Sequence, residues 1–269
     1  MATRMDNFLG VLEEHTNFQK KVGSDGHVSP ENEDQKDFVD VLLRIQKKNV
    51  IGFPVERVSI KAVIQDVFAA GTDTVYIALE WAMTELLRHP TVMKKVQIEV
   101  RGISTGNERE VTEDNLDKMH YLKAVIKETF RLHPPVPLLV PRESTQSVKL
   151  QGYDIAAGAQ VIVNAWAIGR DPKSWDEPEE FHPERFLTTS IDVKGHDFQL
   201  IPFGAGRRIC PGIPFALTII ELVLANLVQK FDLALPNEAS GHDLDMSESI
   251  GVSIHRKFPL TAVATPYIF

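Results

Sequence analysis

Apolar positions recur along this chain mostly with a helical period, and the breaks fall at proline, glycine and short polar runs. Met5 to Phe18 has helical character, and Gly23 to Lys36 is polar and reads as an exposed linker. Phe38, Val41, Leu42 and Ile45 then line one face of an amphipathic helix over Asp37 to Lys47. The longest helical pattern starts at Ser59, a candidate N-cap, and ends at Arg88-His89 before Pro90. About thirty residues at 1.5 Å each make a rod of roughly 45 Å. Ile64, Val67, Phe68, Leu79, Trp81, Met83 and Leu86 spread over several of its faces, which predicts a helix running through the core. Pro90 opens the next helix, through Val100, and Gly102 to Asn107 forms a loop. Thr112 caps a short helix near Asn115 to Met119. Leu122, Val125, Ile126, Thr129 and Leu132 mark a helix over Tyr121 to His133, stopped by Pro134-Pro135.

Beyond it the period changes. Val136 to Val140 is apolar and proline-flanked, hence extended. Val148 to Leu150, Tyr153 to Ile155 and Gln160 to Asn164 read as short strands around turns at Gly152 and Gly158. Trp175 to Leu200 is a proline-rich meander, Pro214 to Phe231 a helix, and Phe231 to Leu235 with Leu260 to Ala264 a closing strand pair. The fold class is mainly α with small β-sheets.

Composition narrows the picture modestly. The 269 residues are 43% hydrophobic and 25% charged, as expected of an ordinary globular chain. A net charge of −8, without a long basic stripe, argues against a nucleic-acid partner. Charges run through the N-terminus and no 18-residue stretch is wholly apolar, so neither a signal peptide nor a membrane span is expected. The nine histidines lack HxxxH and HExxH spacing, and GxGxxG and phosphate-loop motifs are absent.

One stretch carries distinctive chemistry. Pro202 to Gly212, PFGAGRRICPG, holds the sole cysteine, which rules out an internal disulfide. Cys210 is therefore a plain buried thiol or a reactive or ligating one. Gly204, Gly206 and Gly212 keep the backbone thin and able to take positive φ, so a bulky planar group can approach the sulfur. Arg207 and Arg208 favour thiolate, and a helix beginning at Ile213 aims backbone N–H groups near the sulfur. A lone thiolate with open space opposite suits haem iron better than zinc.

Phe203, Gly206, Arg208, Cys210 and Gly212 fall at Phe-x-x-Gly-x-Arg-x-Cys-x-Gly, and here the chain resembles the cytochrome P-450 family, its plant microsomal members in particular. Three more motifs follow in that family's order. Ala69-Ala70-Gly71-Thr72-Asp73-Thr74 leaves a bare notch on the long helix, and it resembles the oxygen-activation motif; Val75 stands where a second Thr or Ser is often found. Glu128-Thr129-Phe130-Arg131 and Phe181 to Phe186 together resemble the buried network of Glu128, Arg131 and Arg185, a structural rather than catalytic group.

The resemblance implies haem b with Cys210 as axial and metal ligand, Phe203, Gly204, Gly206, Gly212, Ala70 and Gly71 against the porphyrin, and Arg142 and Arg208 on its propionates. It implies proton delivery by Asp73 and Thr74. A substrate pocket is implied from Val67, Phe68, Val136, Leu138, Leu139, Ile250 and Val252. The activity implied is insertion of one oxygen atom of O2 into a small lipophilic substrate of plant secondary metabolism. Electrons would come from a separate NADPH-dependent flavoprotein reductase, because no dinucleotide motif is present. The family resides on the cytosolic face of the endoplasmic reticulum membrane, and no anchor is expected in this chain. Residues 1–36 are expected as partial helix and linker, and residues 37–269 as the haem-binding C-terminal half of such a domain, the N-terminal half absent. The alternatives are a haem-thiolate isomerase or dehydratase, against which Asp73-Thr74 speaks, and a truncated, non-catalytic haem-binding fragment.

Overall fold

In the computed structural model, residues 37–49, 52–103 and 110–268 are described. The helix expected over Met5 to Phe18, the linker at Gly23 to Lys36 and most of the loop at Gly102 to Asn107 lie outside them. The chain divides into two compact units, Met1–Ala70 and Gly71–Phe269.

In the first unit, α1 (Phe38–Lys48) opens on a capping box: Asp37 accepts from the Asp40 N–H at 2.9 Å, and Asp40 accepts from the Asp37 N–H. The long helix α2 (Arg57–Arg88) starts two residues before the expected cap, so Ser59 sits in its first turn instead of capping it. Nothing in Arg57 or Val58 resists helix, and the non-helical segment containing Pro54 ends just before the helix starts.

In the second unit α2 is buried nearly all round: Ile77, Ala78, Trp81, Ala82, Thr84, Glu85 and Leu86 are each at most 2% exposed. Three further helices complete the core. Val92, Val96 and Val100 form the inner stripe of α3 (Pro90–Ile103); Ile220, Leu224 and Val228 form that of the last helix, Ile213–Lys230. Both pack against the helix His120–Leu132, whose residues are mostly buried. In chain order these are α3, then α4 (Glu113–Leu116), α5 (His120–Leu132), α6 (Ala165–Ile168) and α7 (Ile213–Lys230). At the start of α4 the Thr112 hydroxyl does not cap a backbone N–H as expected: Asn115 Oδ1 accepts from the Thr112 N–H at 2.9 Å and from Thr112 Oγ1 at 3.1 Å, and the Asn115 N–H donates to the Thr112 carbonyl.

The strands are short and antiparallel. β1 (Arg142–Glu143) pairs with β4 (Gln160–Val161), and β2 (Val148–Leu150) with β3 (Tyr153–Ile155). The strand expected to reach Asn164 stops at Val161 because its partner is two residues long. Asn164 instead accepts from the Ala167 N–H and caps α6. β5 (Phe231–Ala234) pairs with β6 (Val263–Pro266), later than the expected Leu260 to Ala264. The Leu260 N–H is engaged elsewhere, donating to Glu80 Oε1 at 3.0 Å.

Both α2 and α7 are long and apolar enough, by length and composition, to cross a membrane. Each also supplies core side chains, although only 22% of the apolar window in α2 and 28% of that in α7 is buried.

Candidate functional site

Three turn bonds shape the cysteine loop. Gly204 N–H donates to the Ile201 carbonyl at 2.9 Å, Ile209 N–H to Gly206 at 3.1 Å, and Cys210 N–H to Phe203 at 3.0 Å. Gly204 and Gly206 both adopt φ of +74°, which explains glycine at each. Gly212 does not need that freedom: its φ is −86°, correcting the expectation. Its role is spatial, since a Cβ there would sit 3.7 Å from Cys210 Sγ. Phe203 anchors the loop edge-on against Phe130 of α5, with centroids 5.0 Å apart. Behind it, Gly195 takes φ of +77°, and a Cβ there would lie 2.6 Å from Ile209 Cδ1 and 3.0 Å from the Gly204 carbonyl. Only glycine lets the meander press against the loop; no sequence motif marks this residue.

The electrostatics favour an anion. Cys210 is half-buried three residues before the start of α7, whose first N–H groups lack internal partners. Arg142 Nη2 reaches the Arg208 carbonyl at 3.5 Å and would lie 3.7 Å from a Cβ on Gly204. Among the described residues no carboxylate pairs with Arg142, Arg207 or Arg208. A thin glycine face, a half-buried thiol and guanidinium groups lacking acid partners suit a flat, dianionic macrocycle whose metal accepts thiolate.

On α2 the helix runs unbroken through the small residues, and a Cβ on Gly71 would meet Phe215 Cε1 of α7 at 3.8 Å. Ala70 is exposed. Asp73 and Thr74 are half-buried, and the Asp73 carboxylate is held on both oxygens: Ser253 Oγ donates to Oδ2 at 2.7 Å, and His255 Nε2 lies 3.1 Å from Oδ1. Sequence reasoning missed both partners.

The residues expected to form a substrate pocket are mostly open. Val67, Phe68, Leu138 and Val252 are exposed, and Ile250 projects fully; Val136 and Leu139 are half-buried. Leu139 has φ of +52° and lies near Gly204, its Cδ1 3.9 Å from a Cβ there. A cavity of about 330 Å³ lies elsewhere, lined by Glu85, Arg88, His133, Trp166, Arg170 and Glu248 among others, and by none of those residues.

Behind the loop, Glu128 and Arg131 are fully buried. Arg131 Nε and Nη2 donate to the two Glu128 oxygens at 2.7 and 2.8 Å. Its remaining N–H groups reach the carbonyls of Gly169, Pro178 and Glu180, so all five donors are used. Arg185 Nε and the His182 N–H also donate to Glu128 Oε1, at 3.1 and 2.7 Å. Both guanidinium groups lie over Trp175, which the motif does not include.

A second buried acid, Glu85, carries no sequence signal either. His133 Nε2 meets Glu85 Oε1 at 2.7 Å, and the His133 ring stacks on Trp81 with centroids 4.0 Å apart. Burial pushes the Glu85 carboxyl up, but hydrogen bonds from His133 and His89 outweigh it and bring its pKa to about 2.

Residues 3–260 match the family model described as Cytochrome P450. Cytochrome P450 736A117 of Prunus mume is 59% identical over 268 residues, 99% of this chain and 50% of that protein. Norfluorocurarine oxidase of Strychnos is 52% identical over 93% of this chain and 49% of its own length. A zebra fish cytochrome P450 solved with abiraterone superposes with a TM-score of 0.76 at 30% identity, covering 96% of this chain and 59% of that one. The chain thus spans about half the length of the curated relatives it matches. With its cysteine loop, its notched helix and these relatives, the chain belongs to the cytochrome P450 family.

Proposed function

We propose that this chain is the cysteine-bearing part of a haem-thiolate monooxygenase that oxidises a small lipophilic substrate of plant secondary metabolism. The observation that carries the reading is the cysteine loop: a half-buried thiol beside a helix start, glycines at positive φ, and arginines with no acid partner among the described residues. Bound haem iron supplies the oxygen-activating chemistry. Cys210 holds that iron as thiolate, and helix α7 and the arginines stabilise its charge. Arg142 and Arg208 take the propionates, and Phe203, Gly204, Gly206, Gly212, Ala70 and Gly71 border the ring.

Asp73 and Thr74 move protons toward the reacting oxygen, a hydroxyl backed by a carboxylate being able to relay them from solvent. Val67, Phe68, Val136, Leu138, Leu139, Ile250 and Val252 offer apolar contact to the substrate. The relative named Norfluorocurarine oxidase supports an oxidative role on a plant metabolite. A separate NADPH-dependent flavoprotein supplies electrons, and the location is the cytosolic face of the endoplasmic reticulum.

The test is spectroscopic. Loaded with haem, reduced and exposed to CO, the protein is expected to show the red-shifted Soret band of thiolate ligation. Cys210→Ser is expected to abolish that band; its survival overturns the ligand assignment.

A further inference from the structure

The last turn of the chain is fastened to one face of α2. Asp73 holds Ser253 and His255; Tyr76 lies one turn along, its ring 5.8 Å from that of His255. Tyr76 Oη donates to Glu80 Oε1, which also accepts from the Leu260 N–H. Trp81 Nε1 donates to the Ile254 carbonyl, and Arg256 Nη1 to Thr84 Oγ1 at 3.0 Å. Positions 73, 76, 80, 81 and 84 share one helical face, so the fastening is continuous. Its tip, Ile250 to Val252, projects outward.

At the open end of this strip, each oxygen of Asp73 has its own partner. Ser253 is a short donor, and His255 is about one-third exposed. The groups facing the imidazole are Asp73 and Tyr76, with Glu80 behind the phenol; Arg256, next in the chain, turns instead to Thr84 and the Asp245 carbonyl.

We propose that His255 is the solvent entry for protons to Asp73, and that Ser253 is the positioning residue that keeps the carboxylate turned toward it. An imidazole takes a proton from water at Nδ1 and releases the Nε2 proton to Oδ1 of Asp73; the ring ends neutral, and the carboxyl carries the proton onward. Ser253 keeps the carboxylate from rotating away from His255 between transfers. The inference rests on the proton-handling role of Asp73 stated above. It adds that the tip Ile250 to Val252 and the proton supply belong to one mechanical unit.

Two measurements test it. The first needs no haem: thermal unfolding of the 269-residue chain with Asp73→Asn, His255→Gln and both. A coupled pair gives a double variant that melts little below either single one; additive losses overturn the pairing. The second uses the haem-loaded protein with reductase, reading peroxide against product across pH. His255→Gln is expected to raise the peroxide-to-product ratio about tenfold and to flatten the pH profile. Ser253→Ala is expected to do so less, and Ser253→Thr to restore coupling by keeping the hydroxyl. If Asp73→Asn uncouples while His255→Gln behaves as the parent, the proton entry is overturned and the relay stands. If neither uncouples, the relay falls too, and the entry with it.

Discussion

At Glu85 two effects oppose each other, and the balance makes a pH prediction. Its side chain is 2% exposed, yet the His133 and His89 bonds hold its pKa near 2 instead of 4.5. A folded-state pKa below the unfolded one means that stability is present in full above about pH 4.5 and drains away as pH falls toward 2. The span corresponds to on the order of 3 kcal/mol. Denaturant unfolding between pH 6 and pH 3 is expected to show this acid limb, and Glu85→Gln to flatten it. Arg131 offers a second residue-scale test. Lys supplies three donors where five are used, so Arg131→Lys strands carbonyls and half-empties the Glu128 site. The expected loss is about 3 kcal/mol, checked by thermal melting.

At the scale of elements, the cysteine loop depends on a neighbour far from its own motif. Gly195→Ala adds a methyl 2.6 Å from Ile209 Cδ1 at a left-handed φ, and it is expected to cost about 1–3 kcal/mol and to weaken haem retention. Titration of the chain with haem checks it. Gly195 also shows what a sequence hides. The helices were legible because Val92, Val96 and Val100, or Ile220, Leu224 and Val228, repeat a local period. The loop glycines were legible because a short motif names them. Gly195 pressing on Gly204, or Asp73 meeting Ser253 180 positions away, depends on chain paths that no local pattern encodes. The two-residue β1 went unread for the opposite reason: it is too short to have a period.

At the scale of the molecule, the described surface is unusually apolar in places. Phe215, Phe198, Tyr153, Val140, Val252 and Ile250 are all more than half exposed. Surface of that kind binds apolar dyes and drives association. The 269-residue chain is therefore expected to enhance the emission of a hydrophobic probe and to scatter light above a monomer's level. Probe emission and scattering equal to those of a monomer without exposed apolar patches would overturn this expectation.

The Trp81 and His133 rings lie 2° from parallel, one against the other, and both are buried. Indole emission responds to a ring stacked on it and shifts to longer wavelength in water. With only three tryptophans in the chain and Trp175 the other buried one, the protein carries an intrinsic optical gauge at the inner end of α2. Loosening of that end would appear as a change in colour and brightness of the emission.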